Sequence, residues 1–156
     1  MSLARDVILA GAPRTVYVAS GHPDAEDLAL SLGAKVIRGN GLDLSADVDT
    51  AYRELSEIAR RVTIVPADLA HPFGIGEWRP PRGVAIVPDR RGEGTNVLSL
   101  PTGLDFRFHY GSHSARRHQE EARRLRLPVS VIASSPWSWD VDEAFDIPHD
   151  ARRAGN

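Results

Sequence analysis

Three aspartates and two glycine-bearing loops hold the residue types in this sequence that could do chemistry. Asp68 ends the string Val-Pro-Ala-Asp-Leu, directly after an apolar run from Val62 to Ala67. A carboxylate just past the carboxyl end of a strand stands where open α/β sheets bind ligands. A turn or helix-capping role is the other reading. Asp140 and Asp142 lie two apart in Trp-Asp-Val-Asp. In an extended stretch their side chains point the same way. Two carboxylates on one face repel unless a cation or an arginine lies between them. Mg²⁺ suits such a pair, because it takes one or two carboxylates and fills its sphere with water and substrate phosphates. A solvated edge with an aspartate cap before Glu143 competes with that reading, and a meeting with Asp68 would favour the metal.

The loop from Asp89 to Asn96 reads Asp-Arg-Arg-Gly-Glu-Gly-Thr-Asn. Glycine lets backbone N–H groups converge on an anion, while Arg90, Arg91 and Thr95 add charge and a hydroxyl. A second string, Tyr110-Gly111-Ser112-His113-Ser114-Ala115-Arg116-Arg117-His118, leads into a helix with Ser114 as its expected N-cap. Arg116 and Arg117 then oppose the helix dipole, a conflict that an anion at the helix start would relieve. Thr95, Gly111 and Ser114 are therefore expected to share one anion-sized pocket, with Arg90 and Arg116 supplying charge. A plain surface loop, with the arginines leaning into solvent, is the alternative. The six histidines show no metal-protease spacing and read as surface or loop residues, with His109, His113 and His118 flanking the expected pocket. No Gly-x-Ser-x-Gly string supports acyl transfer.

Strand and helix patterns alternate around these motifs. Helices are expected over 2–11, 23–33, 45–61 and 114–126, and strands over 15–20, 35–37, 62–67, 83–87, 97–100 and 129–134. A short extended segment is expected over 138–141. The run 62–67 reads as a strand buried on both faces. Such alternation predicts a single α/β domain over residues 1–147 with a mainly parallel sheet, followed by a polar tail over 148–156. The chain opens on a helix, with no strand and phosphate loop ahead of it, whereas most nucleotide-binding α/β domains begin with a strand.

Composition bounds the function. With 156 residues, 42% apolar and 26% charged, the chain suits one globular domain rather than a disordered one. The absence of cysteine excludes disulfides, thiolate nucleophiles and cysteine metal sites. A net charge of −2 argues against a dedicated nucleic-acid binder. No apolar run is long enough to span a membrane, and no signal peptide is visible, so a cytoplasmic protein is expected. Among 19 basic residues only Lys35 is lysine. That bias reads chiefly as genomic composition, although arginine also offers a fork suited to phosphate and carboxylate.

In their order and spacing, VPADL, VPDRRGEGTNVL, FHYGSHSARRH and WDVDEAFDI resemble the guanylyltransferases that activate 2-phospho-L-lactate, phosphoenolpyruvate or 3-phosphoglycerate for a deazaflavin coenzyme. The resemblance covers about residues 2 to 147. It implies a single-domain, glycosyltransferase-A-like nucleotidyltransferase fold, with the first strand absent here. The implied reaction is attack of a substrate phosphate on the α-phosphorus of GTP, with release of pyrophosphate and with Mg²⁺ as template. Carried over, Asp68 becomes a catalytic, metal- and nucleotide-side carboxylate. Asp140 and Asp142 become the second metal-binding element. Thr95, Gly111 and Ser114 become contacts to the phospho-acid, and Gly41 and Asp43 lie near the nucleobase. The family's Gly-Leu-Asn reads Gly41-Leu42-Asp43 here, and its Pro-Ala-Asp-Leu-Pro-Leu reads Pro66-Ala67-Asp68-Leu69-Ala70-His71. The family's N-terminal strand and basic triphosphate loop have no counterpart, so weak GTP binding is expected. A catalytically inactive relative that binds a phospho-acid or a partner chain is the alternative. A second copy is a candidate partner, because a missing central strand exposes two sheet edges.

Overall fold

The computed structural model describes residues 2–139. Helix α1 spans Leu3–Ala10, and strand β1 follows at Tyr17–Ser20. Helix α2, Pro23–Ser31, starts on a proline whose fixed φ suits the first turn. His22 Nδ1 caps α2 by accepting the Asp24 N–H at 3.3 Å. Strand β2, Lys35–Arg38, pairs in parallel with β1. Helix α3 runs Leu44–Ser56, and β3 runs Arg61–Ile64. Strands β4, Val84–Pro88, and β5, Thr95–Pro101, form a hairpin. Helix α4, Ser114–Arg124, β6, Val129–Val131, and a 3₁₀ turn at Pro136–Ser138 complete the described chain.

The strands form two sheets rather than one. β1 and β2 make the first, and the second has the order β3-β5-β4-β6. The expectation of a mainly parallel sheet is corrected: β3 with β5 and β4 with β5 are antiparallel, whereas β1 with β2 and β4 with β6 are parallel. The short connection between β4 and β5 dictates this, since a hairpin can join only antiparallel strands.

Burial is concentrated in the hairpin. Every residue of β4 is buried, as is all of β5 except Pro101. The pleat sends alternate side chains to opposite faces. Val84, Ile86, Leu98 and Leu100 meet Phe106, Phe108 and Ala122 on one face. Val87 and Val97 meet Ile75, Trp78 and Trp137 on the other. The run 62–67, expected to be buried on both faces, instead contributes to a half-buried strand, Arg61–Ile64, that is paired on one side among the described residues. Arg61, expected to close the preceding helix, is the first residue of β3. Its guanidinium donates to Ser99 Oγ at 2.9 Å and to the Gly83 carbonyl at 2.9 Å, tying β3 to β5 and to the start of β4.

Among the described residues, β1 pairs only with β2 and β3 pairs only with β5. Both of their other edges face one cavity of about 1280 Å³. Tyr17, Val18, Val62 and Ile64 line it from the strands, and Val48 and Tyr52 line it from α3.

Asp47 fixes the rim of this cavity near β2. It is buried in the first turn of α3 and accepts the Asn40 N–H at 2.8 Å and the Gly41 N–H at 2.9 Å. Any Cβ at Gly39 would collide with the Asp47 carboxyl, so the residue type there is fixed by this contact. Asp47→Ala would leave two amides without their charged acceptor. Urea denaturation should show a loss of about 2–4 kcal/mol, the scale for hydrogen bonds to a charged group. A loss below about 0.5 kcal/mol would show that water replaces the carboxylate at no cost.

Candidate functional site

The loop after β4 is closed by Asp89. Its N–H donates to the Gly94 carbonyl at 3.1 Å, its own carbonyl accepts the Gly92 N–H at 3.0 Å, and its Oδ1 accepts the Glu93 N–H at 2.9 Å. A Cβ at Gly94 would stand 2.8 Å from Asp89 Oδ2, so glycine permits this closure. The Glu93 carbonyl then accepts the Ala115 N–H at 3.0 Å, fastening the loop to the start of α4. Thr95 opens β5 and Ser114 opens α4, so this fastening brings them together. Their hydroxyl oxygens are 3.0 Å apart, and both residues line the cavity, as Gly111 does.

Ser114 is not the N-cap that its position in the sequence suggests. The cap is His113, in the left-handed conformation at φ 58°, which leaves Ser114 as the first helical residue with its side chain turned to Thr95. The Ser114 N–H is held by the Gly111 carbonyl at 3.2 Å and the Ala115 N–H by Glu93. The first two amides of α4 are therefore already engaged. What faces the cavity here is a pair of hydroxyls rather than a row of helix N–H groups. Gly111 turns the chain at φ 106°, a conformation that L side chains rarely adopt.

His118 corrects the reading of the histidines as surface residues. It is fully buried beneath the hydroxyl pair. Its Nδ1 lies 3.0 Å from Thr95 Oγ1, and its Nε2 accepts the His109 N–H at 2.9 Å. The rings of Phe106, Phe108 and Tyr110 surround it, Tyr110 at 5.0 Å. Burial, and then the nearby His109 and Arg117, lower its pKa to about 4, against a weaker opposing pull from Glu121. Spacing carried a hint, since His118 lies four residues after Ser114, on the same helix face.

The remaining expected residues are spread more widely. Asp68 follows β3, is half-buried, and lines the same cavity. Asp140 and Asp142 lie outside the described residues. Among the described residues, no group of three or more histidine, aspartate or glutamate side chains stands together as a metal-ligand set. Asp89, not singled out as a ligand from the sequence, also lines the cavity. Arg116 is exposed and pairs with Glu120 one turn along α4 at 3.0 Å. Arg90 lies 5.3 Å from the Trp139 ring, beside a separate surface depression of about 590 Å³. Neither arginine lines the main cavity. Gly41 and Asp43 are exposed and do not line it either. The Gly41 N–H is bound to Asp47, and Asp43 caps α3 by accepting the Ser45 N–H at 2.9 Å.

A family model described as "Guanylyl transferase CofC like" matches residues 1–149. The phosphoenolpyruvate guanylyltransferase of Roseiflexus castenholzii is 32% identical over 145 residues, which are 92% of this chain and 68% of that one. The 2-phospho-L-lactate guanylyltransferase of Methanothermobacter thermautotrophicus is 34% identical over 139 residues, 85% of this chain and 61% of that one. The chain thus spans about two thirds of the length of these relatives. A solved structure from Desulfovibrio desulfuricans, described as a nucleotide-diphospho-sugar transferase, has a TM-score of 0.58 at 17% identity. The match covers 84% of this chain and 66% of that one, so the two share an α/β fold.

The buried imidazole makes stability depend on pH. Unfolded, His118 takes up a proton near 6.5, whereas in the fold it does so only near 4. Between those values the unfolded chain binds more protons, so stability falls as the pH drops from 6.5 towards 4 and is fully present above 6.5. The total loss should be about 3 kcal/mol. Urea midpoints at pH 7 and pH 4.5 measure it, and His118→Gln should remove most of the difference. Equal pH dependence in both proteins would assign the effect to other groups.

Proposed function

Because the chain belongs to the CofC-like guanylyltransferase family, we propose that it transfers GMP from GTP to a phosphorylated three-carbon acid and releases pyrophosphate. Phosphoenolpyruvate, 2-phospho-L-lactate and 3-phosphoglycerate are the candidate acids. A phosphate oxygen of the acid attacks the α-phosphorus of GTP. The bond from that phosphorus to the bridging oxygen breaks, and pyrophosphate leaves with the bond's electrons. The observation that carries the reading is the Thr95–Ser114 hydroxyl pair, 3.0 Å apart on the wall of the cavity that Asp68 also lines.

The residues divide the work by chemistry. Thr95 donates to an oxygen of the acid, Ser114 donates to Thr95 Oγ1 and holds that hydroxyl in place, and the left-handed turn at Gly111 leaves the backbone open beside them. No charged side chain is needed in that pair for orientation, because a Thr95 hydroxyl held by Ser114 fixes the direction from which a phosphate or carboxylate oxygen can accept. Asp68 offers hard oxygen donors on the cavity wall, a set that fits Mg²⁺. With Asp140 and Asp142 it would hold the ion, which, when bound, supplies positive charge against the triphosphate and the leaving pyrophosphate. A cavity of about 1280 Å³ is roomy enough for a nucleotide and a small acid together. No helix among the described residues is long and apolar enough to cross a membrane, in keeping with work on water-soluble substrates in the cytoplasm.

The test is formation of a guanylylated acid from GTP, Mg²⁺ and each of the three acids, followed by mass spectrometry and by pyrophosphate release. Ser114→Ala, which removes the hydroxyl that holds Thr95 Oγ1, should weaken binding of the acid about tenfold, the scale for losing one hydrogen bond. Asp68→Asn should lower transfer by about 100-fold or more while leaving acid binding in place. A folded chain that binds none of the acids and transfers no GMP would overturn the proposal.

A further inference from the structure

His118 is buried beneath the site and touches the Thr95 hydroxyl without itself lining the cavity. Its two nitrogens have different partners, and those partners settle where its proton sits. The His109 backbone N–H can only donate, so His118 Nε2, 2.9 Å away, must accept and cannot carry a proton. A neutral imidazole then carries its hydrogen on Nδ1, which points at Thr95 Oγ1 at 3.0 Å. Its pKa, lowered to about 4 by burial, agrees with a neutral ring.

The consequence falls on the hydroxyl pair. Thr95 Oγ1 accepts from His118 Nδ1–H, and it accepts a second hydrogen bond from Ser114 Oγ. Both acceptor positions of that oxygen are then filled, and its own proton is left to donate. In the other tautomer, Thr95 would spend its proton on Nδ1, Ser114 would spend its proton on Thr95, and nothing would remain for a ligand. The identity of the group bonded to Nε2 therefore decides whether this wall of the cavity is a donor.

We propose that His118 is a positioning residue that, through its Nδ1–H, turns the Thr95 hydroxyl into an obligate donor aimed at an oxygen of the bound phospho-acid. This rests on the substrate reading above. The preference that follows is for an acceptor-only oxygen, as in an ionised phosphate or carboxylate, over a hydroxyl at that position. The aromatic cage of Phe106, Phe108 and Tyr110 keeps the ring from rotating and keeps water from supplying a competing donor.

The test combines ring spectroscopy with an affinity cycle, using phosphoenolpyruvate as the probe. In ¹⁵N–¹H spectra of the intact chain, the His118 ring should show a protonated Nδ1 and a bare Nε2; the reverse pattern overturns the proposal. By calorimetry, His118→Gln keeps an acceptor near the Nε2 position but loses the donor to Thr95, and should raise the Kd about tenfold. His118→Asn places an amide N–H near the Nδ1 position and should recover most of that loss, although it surrenders the His109 contact and lowers the melting temperature more. In a Thr95→Val background, His118→Gln should add little further loss of affinity. Equal losses for Gln and Asn, or the same loss with and without Thr95, would make His118 merely structural. A wild-type chain that binds no phosphoenolpyruvate overturns the substrate reading itself, a result distinct from binding that ignores His118.

Discussion

The closed turn between β4 and β5 is the constraint on which the rest of the structure depends. Two strands with almost no exposed residue must satisfy every backbone group by pairing, because a buried amide without a partner costs on the order of 1–3 kcal/mol. Their register is therefore stiff. Asp89 fixes the turn by accepting the Glu93 amide, and Glu93 in turn holds the start of α4. One aspartate thus sets where Thr95 emerges and where Ser114 is placed against it. The site is built on the end of the least deformable element in the molecule, with its second half delivered by a single backbone hydrogen bond.

The polar groups around this point form a chain rather than a collection. The His109 amide, the His118 ring, Thr95 and Ser114 follow one another at 2.9 to 3.0 Å, most of it out of contact with water. In such surroundings a mispaired group is costly, so the chain has one consistent arrangement of protons. Glu121, one turn further along α4, is held in the same economical way. Burial alone would raise its pKa, but hydrogen bonds from Arg124 and from the Arg107 amide hold it below its ordinary value.

Much of the architecture was legible in residue patterns, and the exceptions have physical causes. Each helix and each of the six strands lies where periodicity and punctuation place it, with boundaries shifted by a few residues. Alternating strands and helices suggest a parallel sheet, but the Asp89–Asn96 loop serves both as a glycine-rich cradle and as a hairpin connection, and the hairpin makes β4 and β5 antiparallel. Val62 to Ala67 is apolar enough for a buried strand, yet among the described residues β3 has a neighbour on one side only, and composition does not say whether a neighbour stands on each side. Thr95, Gly111 and Ser114 stand out in the sequence because glycine and hydroxyl residues at loop ends are conspicuous, and the fold places all three on one cavity. His118 escaped because one histidine in a charged helix carries no local mark of burial; only the aromatic run Phe106–Tyr110 folding over it makes it a core residue.

The cavity between β1 and β3 has a consequence for how the molecule holds together. Among the described residues, the pair β1–β2 with α2 is joined to the larger sheet by helix packing, with α3 touching both β1 and β3, and not through strand-to-strand hydrogen bonds. A seam made by helix packing alone favours opening of the smaller sheet at a free energy below that of global unfolding. Amide hydrogen exchange would then run in two classes, fast in β1 and β2 and slow in β4 and β5. Whatever fills the space between the sheets would bind only the closed form and would draw the two classes together by mass action. The cohesion of the fold and the occupancy of this cavity are in that sense one equilibrium.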